Sequence, residues 1–164
     1  MIKIKNQLKL AVLTVMSIIF ISSCNPTKKY EEREEAEIAN YLTANPTLSY
    51  EHKTSGLYYL DLIVGTGSQP VTSDTAFIYY TGYLLDGTEF DKLVTGDAYG
   101  FPVNEGWIMS GIDEGIMLMK VGGKAKLLMP SSLAFGNTGY YFPAYTPVIY
   151  DVTLDSLVAG PNHK

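Results

Sequence analysis

The stretch Phe77–Asp91, "FIYYTGYLLDGTEFD", has the pattern of two β-strands joined by a tight turn. Aromatic and β-branched side chains dominate its first part, as is typical of strands. Asp86-Gly87 predicts the turn, because glycine supplies the positive φ that hairpin turns require. The stretch also places aromatic rings beside a single carboxylate, Asp91. We therefore asked whether these side chains only fill a core or line a site.

Further strand and helix patterns lie on both sides of this hairpin. Strands are predicted within Gly56–Gly67, Tyr99–Asn104, Lys124–Pro130 and Val148–Val158. Ile112, Ile116 and Met119 fall at i, i+4 and i+7, the apolar stripe of a short amphipathic helix. Ser110 is a candidate N-cap for this helix, and Gly122-Gly123 predicts its end. Several strands and one short helix predict an α+β domain with a twisted antiparallel sheet folded over the helix.

The first 23 residues have the pattern of a signal peptide. Three lysines precede an apolar run, Leu10–Ile21, that is too short to span a membrane comfortably. The run ends in "ISSC", which resembles the lipobox of bacterial lipoproteins and implies that Cys24 carries acyl chains such as palmitate. The alternative is an ordinary secretory signal that leaves a free thiol. Because Cys24 is the only cysteine, no internal disulfide is expected.

Composition argues against several classes of function. Removing residues 1–23 takes away three of the 12 basic residues and none of the 17 acidic ones, which leaves a net charge of −8. Nucleic-acid binding is therefore not expected. His52 and His163 are the only histidines, and both fall outside the predicted strands. Metal sites, a Ser/His/acid triad and phosphate loops are not predicted, so no cofactor is expected.

Residues 24–55 are predicted to form a polar spacer and a helical stalk. Tyr30–Leu42 consists of good helix formers, and Ile38, Tyr41 and Leu42 lie on one face. The charged first half is expected to be solvated while the apolar stripe docks on another surface. A weakly helical tether is the alternative. Self-association through Tyr30–Leu42 is also a possible use of this helix.

Three segments resemble the signature blocks of FKBP-type peptidyl-prolyl cis-trans isomerases. They are "YYTGYLLDGTEFD", "GIDEGIMLMKVGGKAKLLMPSSLAFG" and "PVIYDVTL", in order and with matching spacing. The resemblance covers residues 56–158 and leaves 159–164 as a C-terminal tail. It implies a half-open antiparallel sheet wrapped around one short helix. It also implies rotation about X-Pro bonds without a cofactor.

The resemblance also implies a site. Its catalytic residues would be Tyr80, Phe90, Asp91 and Met109. Its substrate-binding residues would be Tyr99, Ile108, Ile112, Phe135, Tyr140, Phe142 and Tyr150. In the family the Ile108-Met109 segment offers a backbone N–H to the substrate carbonyl, the acid bonds to the pocket tyrosine, and the loop with Phe135 and Phe142 overhangs the pocket.

From the residues alone, each assignment has a simpler alternative. Tyr80 and Phe90 could be core side chains, and Asp91 could merely end the hairpin. Two positions also depart from the best-known members of the family. Ile112 replaces a tryptophan and predicts a wider or shallower floor, and Phe135 replaces a tyrosine that donates to ligand carbonyls. Macrolide affinity should suffer more than the fold.

The sequence therefore predicts a prolyl isomerase that acts on proline-containing segments of exported proteins. It would be lipid-anchored at Cys24 in a bacterial cell envelope, with the outer membrane favoured and the domain in the periplasm or at the surface. One alternative is a binding or assembly module that grips proline segments with negligible turnover. Another is a structural lipoprotein whose domain is vestigial.

Overall fold

The computed structural model describes residues 26–138 and 142–163, so the predicted signal peptide and Cys24 lie outside the described residues. The helices are α1 (Pro26–Ala44) and α2 (Ser110–Leu118), with a 3-10 turn at Ser131–Leu133. The strands are β1 (Glu51–His52), β2 (Tyr58–Ile63), β3 (Thr75–Leu84), β4 (Glu89–Leu93), β5 (Tyr99–Pro102), β6 (Lys124–Met129) and β7 (Val148–Val158). In these two ranges no helix combines the length and apolar character that a membrane crossing requires.

The seven strands form one antiparallel sheet in the order β1-β2-β6-β7-β3-β4, with β5 paired to β3. Strand β3 is paired on both sides. One side meets β7 along its whole length, while the other meets β5 over Thr75–Ile78 and β4 over Tyr80–Tyr83. The predicted antiparallel α+β fold is confirmed.

The main core lies between α2 and one face of the sheet, which we call the inner face. The predicted stripe of Ile112, Ile116 and Met119 is buried, at 1%, 0% and 2% exposure. It packs in one cluster with inner-face side chains that include Leu127 and Tyr150. Burying a side chain of this size stabilises the fold by about 1.5–3 kcal/mol. The apolar stripe that predicted α2 is thus what holds the sheet around it.

Both predicted ends of α2 were wrong. Ser110 is the first helical residue rather than the cap, and Met109 occupies the N-cap position without a side-chain capping bond. The Met109 carbonyl accepts the N–H groups of Ile112 and Asp113, both at 3.0 Å. The helix ends at Leu118, four residues before Gly122. Gly122 instead donates its N–H to the Leu154 carbonyl at 2.8 Å, which joins the end of the sheet.

Helix α1 packs on the opposite, outer face of the sheet. Ile38 is 6% exposed and lies against Leu128 and Ile149, with Tyr41 and Leu42 packed around them. The apolar stripe therefore docks as predicted, on the protein's own sheet. The charged first half is not wholly solvated, because Glu34 is only 7% exposed. Strand β7 is buried on both faces near its start because α1 covers one face and α2 lies under the other.

The C-terminal tail is fixed to the start of β3 through Asp74. This buried carboxylate accepts the N–H groups of Val71 at 2.8 Å and Gly160 at 2.7 Å, and it contacts Nδ1 of His163 at 2.7 Å. Burial raises the pKa of the Asp74 carboxyl, but these three partners outweigh burial and leave the pKa below its usual value. His163, which the sequence placed only in the C-terminal tail, therefore lies against the fold.

Candidate functional site

Two adjoining cavities open at the end of the sheet where β3, β4, β7 and the start of α2 meet. The larger cavity, of about 490 Å³, is lined by Phe90, Asp91, Met109, Phe135, Phe142 and Tyr150. The smaller, of about 250 Å³, is lined by Tyr80, Asp91, Tyr99, Ile108, Met109, Ile112 and Tyr150. Asp91, Met109 and Tyr150 line both, so we treat the two as one cleft. A concave, largely apolar cleft with few polar groups is the usual form of a small-ligand site.

A β-bulge explains how the neighbours Phe90 and Asp91 both line this cleft. Adjacent residues of a regular strand point to opposite faces. Here Gly82 pairs with Asp91 and Tyr83 pairs with Glu89, which leaves Phe90 as an extra residue on β4. A bulge of this kind re-aims a side chain. The β3–β4 hairpin thus directs a ring and a carboxylate into the same cleft.

Phe90 is the centre of an aromatic cluster. Its ring centroid lies 4.8 Å from that of Phe142, 5.7 Å from that of Tyr150 and 6.0 Å from that of Phe135. All three contacts are edge-to-face, the arrangement that aromatic pairs prefer. The rings enclose the larger cavity and leave it open to solvent, so they do not form a closed core.

Gly82 makes room for this cluster. A Cβ atom at this position would lie 2.7 Å from Cζ of Phe90 and 3.0 Å from Cζ of Tyr150. Tyr150 pairs directly across from Gly82 in the sheet. Glycine in the middle of a strand often marks a bulge or a close approach. That signal was present in "YTGYL", and sequence reasoning missed the residue.

Tyr80 and Asp91 form the polar part of the cleft. The Tyr80 hydroxyl donates to Oδ2 of Asp91 at 3.2 Å. Burial, the Asp91 charge and this hydrogen bond all raise the pKa of Tyr80, so it stays protonated and keeps donating at neutral pH. Burial, Asp91 and Tyr80 likewise raise the pKa of Tyr150. The carboxylate is exposed on its other side, which removes the cost of burying a charge.

The segment before α2 has unused backbone donors beside the cleft, since Ile108 and Met109 both line the smaller cavity. Among the hydrogen bonds of the described residues, none uses the N–H of Ile108 or of Met109. Asp113 ties the chain before this segment to α2. Its carboxylate is buried on the helix and accepts the Asn104 N–H at 2.7 Å. Burial raises the pKa of Asp113, while hydrogen bonds from the Asn104 and Gly106 backbones act in the opposite direction. Sequence reasoning placed Asp113 only in the first turn of the helix.

The structure brings the predicted site residues together with two exceptions. Tyr140 and Cys24 lie outside the described residues. Tyr150 and Ile112 serve both as core and as cleft wall, at 2% and 1% exposure, whereas Tyr99 is 43% exposed and stacks on Phe101. Ile112 lines the smaller cavity where a wider floor was predicted. Over the part of the chain that the structure describes, no group of three or more His, Cys, Asp or Glu side chains is suited to a metal ion.

Comparisons with known proteins agree with this geometry. A family model described as FKBP-type peptidyl-prolyl cis-trans isomerase matches residues 66–155. The chain is 41% identical over 117 residues to the FKBP-type isomerase FkpA of Aeromonas hydrophila, covering 70% of this chain and 43% of that protein. It is 36% identical over 126 residues to the FKBP-type 22 kDa isomerase of Escherichia coli, covering 73% and 59%. The chain thus spans about half the length of these curated relatives.

Solved structures show the same architecture. The crystal structure of FkpA from Escherichia coli superposes with a TM-score of 0.66 at 28% identity, covering 96% of this chain and 73% of that one. A peptidyl-prolyl cis-trans isomerase from Pseudomonas syringae superposes with a TM-score of 0.69 and covers 84% of this chain and 100% of that one. Because the sequence identity to the Pseudomonas syringae protein is 24%, this comparison supports the fold alone.

Proposed function

This chain belongs to the family of FKBP-type peptidyl-prolyl cis-trans isomerases, and we propose on that premise that it accelerates rotation about X-Pro peptide bonds. The observation that carries the proposal is the open cleft that the Tyr80–Asp91 pair lines together with five further aromatic rings, those of Phe90, Tyr99, Phe135, Phe142 and Tyr150. Its dimensions and apolar walls suit a proline side chain and the peptide bond before it.

The reaction needs no nucleophile. The barrier of about 18–20 kcal/mol comes from amide resonance, which places partial charge on the oxygen and the nitrogen. In the twisted transition state this resonance is lost and the group is less dipolar. An apolar cleft therefore favours the twisted form over the planar form, whereas water favours the planar form. Only such differential stabilisation accelerates the reaction, and a thousandfold acceleration needs about 4 kcal/mol.

We assign the residues to roles on this basis. The proline ring lies among Tyr80, Phe90 and Tyr150, with Ile112 as the floor. The free N–H of Ile108 or Met109 holds the substrate carbonyl before the proline. Asp91 keeps the Tyr80 hydroxyl directed away from the ring, so that the apolar wall stays intact. Phe135 and Phe142 cover the residues that flank the proline.

We further propose that the chain works in a bacterial cell envelope. The support is the signal-like N-terminus and the "ISSC" segment, which together predict a lipid anchor on Cys24. In exported proteins that fold in this compartment, uncatalysed X-Pro isomerisation would take tens to hundreds of seconds. Proline-containing segments of such proteins are the proposed substrates.

A protease-coupled assay on a short X-Pro peptide tests the proposed activity. The unmutated chain should exceed the buffer rate. Tyr80→Phe should lower kcat/KM by about two- to tenfold, the cost of one hydrogen bond, and Asp91→Leu should lower it further because the hydroxyl then lacks an acceptor. Tyr59→Phe is the matched control, because Tyr59 donates to Asp61 in the same way outside the cleft.

An unmutated rate equal to the buffer rate would eliminate the enzyme. Binding of the same peptide without turnover would then favour the proline-binding module. Lipidation has a separate test, mass spectrometry of the native N-terminus. An acylated Cys24 is expected, and an unmodified thiol would refute the anchor.

A further inference from the structure

Helix α1 contacts both ends of the loop that covers the cleft. We call residues 134–138 and 142–147 the roof loop, because these described residues lie between the 3-10 turn and β7 and include Phe135 and Phe142. Just before the loop, Ser131 donates its backbone N–H to Oε1 of Glu34 and its hydroxyl to Oε2 at 3.0 Å. Near the loop's end, Arg33 donates to the carbonyls of Ala144 at 3.0 Å and Tyr145 at 3.2 Å.

Glu34 is unusual among the glutamates of α1. It is buried, and both of its carboxylate oxygens are used by Ser131. Hydrogen bonds to a carboxylate are stronger than neutral ones, and a buried carboxylate needs them. The next residue, Glu35, is exposed and has no side-chain partner among the described residues. One carboxylate of the helix is thus built into the start of the roof loop, while its neighbour faces solvent.

Tyr145 marks the other contact. Its φ is +62°, a left-handed conformation that few residues other than glycine adopt. Such a conformation persists only where the surroundings hold it. Its N–H closes the base of the loop by donating to the Gly136 carbonyl at 3.3 Å. From α1, Arg33 holds its carbonyl, and the ring of Tyr30 stacks on its ring at 5.5 Å and 4°.

The contacts on α1 reach the cleft through the rings of the loop. Phe135 and Phe142 lie 5.3 Å apart and both contact Phe90 edge-to-face. Glu34 and Arg33 line neither cavity. Any movement of the loop's two ends relative to the sheet would move these rings against Phe90 and change the width of the larger cavity.

We propose that α1 holds the roof loop over the cleft, and that Glu34 and Arg33 are positioning residues for the binding of proline-containing segments. The helix that follows the proposed anchor thereby controls how tightly the cleft holds its ligand. This inference rests on the proposed function for the nature of the ligand. The coupling between α1 and the loop has its own structural test.

Hydrogen exchange of the full-length chain in detergent provides that test. Glu34→Ala and Arg33→Ala should each speed amide exchange within residues 134–138 and 142–147 by about tenfold, the effect of losing charge-assisted hydrogen bonds. Exchange in the central strands β3 and β7 should not change. Glu35→Ala, the matched control, should leave the loop unchanged. Glu34→Gln should also stay near the unmutated rate, because its amide can accept the Ser131 N–H and donate to the hydroxyl.

Kinetics on the X-Pro peptide provide the second readout. Glu34→Ala and Arg33→Ala should raise KM about threefold or more with kcat within twofold, because the loop binds flanking residues and does not contact the twisting bond. If Glu34→Ala fails to fold, Arg33→Ala and Tyr30→Ala decide the question, since both side chains are exposed. Loop exchange equal to that of Glu35→Ala in every folded variant would overturn the proposal. An inactive unmutated chain would refute the proposed function, while exchange would still decide the coupling.

Discussion

Replacing Gly82 with alanine should close the cleft from beneath while the sheet stays intact. The backbone at Gly82 does not have a positive φ, so the cost of alanine is steric. The new Cβ would lie 2.7 Å from Cζ of Phe90, about 0.7 Å short of the 3.4 Å at which ordinary contact begins. Tyr150 is buried and cannot yield, so the Phe90 ring must move toward Phe142 and into the cavity.

The size of the effect follows from two opposing contributions. Overpacking costs about 1–3 kcal/mol, and the loss of glycine's backbone freedom returns about 0.5–1 kcal/mol. Taking the midpoints of these ranges, we expect Gly82→Ala to lower the free energy of unfolding by about 1 kcal/mol. A displacement close to 1 Å in a site can cost about a hundredfold in rate, so kcat/KM should fall between tenfold and a hundredfold.

Gly100→Ala is the matched control. Its Cβ would lie 2.7 Å from Cε1 of Phe77, an equal clash with a phenylalanine ring that lines neither cavity. Thermal unfolding should show similar losses of stability for both variants, and the protease-coupled assay should show loss of activity only for Gly82→Ala. Equal activity in the two variants would refute the argument that Gly82 makes room for the site.

Two further predictions follow from the bulge and from the fixed C-terminal tail. Deleting Phe90 should leave a regular β3–β4 ladder with Asp91 still opposite Gly82. The chain should therefore fold with a cooperative thermal transition, but its kcat/KM should fall at least tenfold. An unfolded chain would contradict this prediction. The low pKa of Asp74 contributes stability that is present above about pH 4 and is lost as the pH falls through the folded value. Melts from pH 7 to 3 should therefore show a smaller acid-induced loss of stability for Asp74→Asn than for the unmutated chain, and parallel curves would contradict it.

Much of the fold could be predicted because its patterns are local. The run Val148–Val158 alternates and carries β-branched residues, and β7 has the predicted bounds. The stripe on α2 was equally clear. The prediction of the N-terminus of α2 was wrong because serine is a common capping residue, which made Ser110 the expected N-cap. In the structure Met109 is the N-cap, and its backbone carbonyl accepts the first hydrogen bonds of the helix.

The site was predictable only where a family pattern named its residues. The bulge at Phe90 could not be found from alternation, because the extra residue interrupts that alternation without a turn residue to mark it. The burial of Glu34 could not be found either, since its partner Ser131 lies 97 residues away in sequence. From sequence alone, charged side chains in a helix predict a face exposed to solvent, because a hydrogen-bond donor far away in the sequence cannot be foreseen.

The docked helix has a consequence for where the domain can act. One residue separates Cys24 from the start of α1 at Pro26, and α1 lies against the sheet. A chain acylated at Cys24 would therefore have no long flexible linker that would let the domain move away from the bilayer. The helix spans about 28 Å at 1.5 Å per residue, so the sheet on which it packs would stay close to the lipid. Substrate proteins would then have to approach the membrane surface. A longer linker inserted before Pro26 would enlarge the volume that the domain can reach.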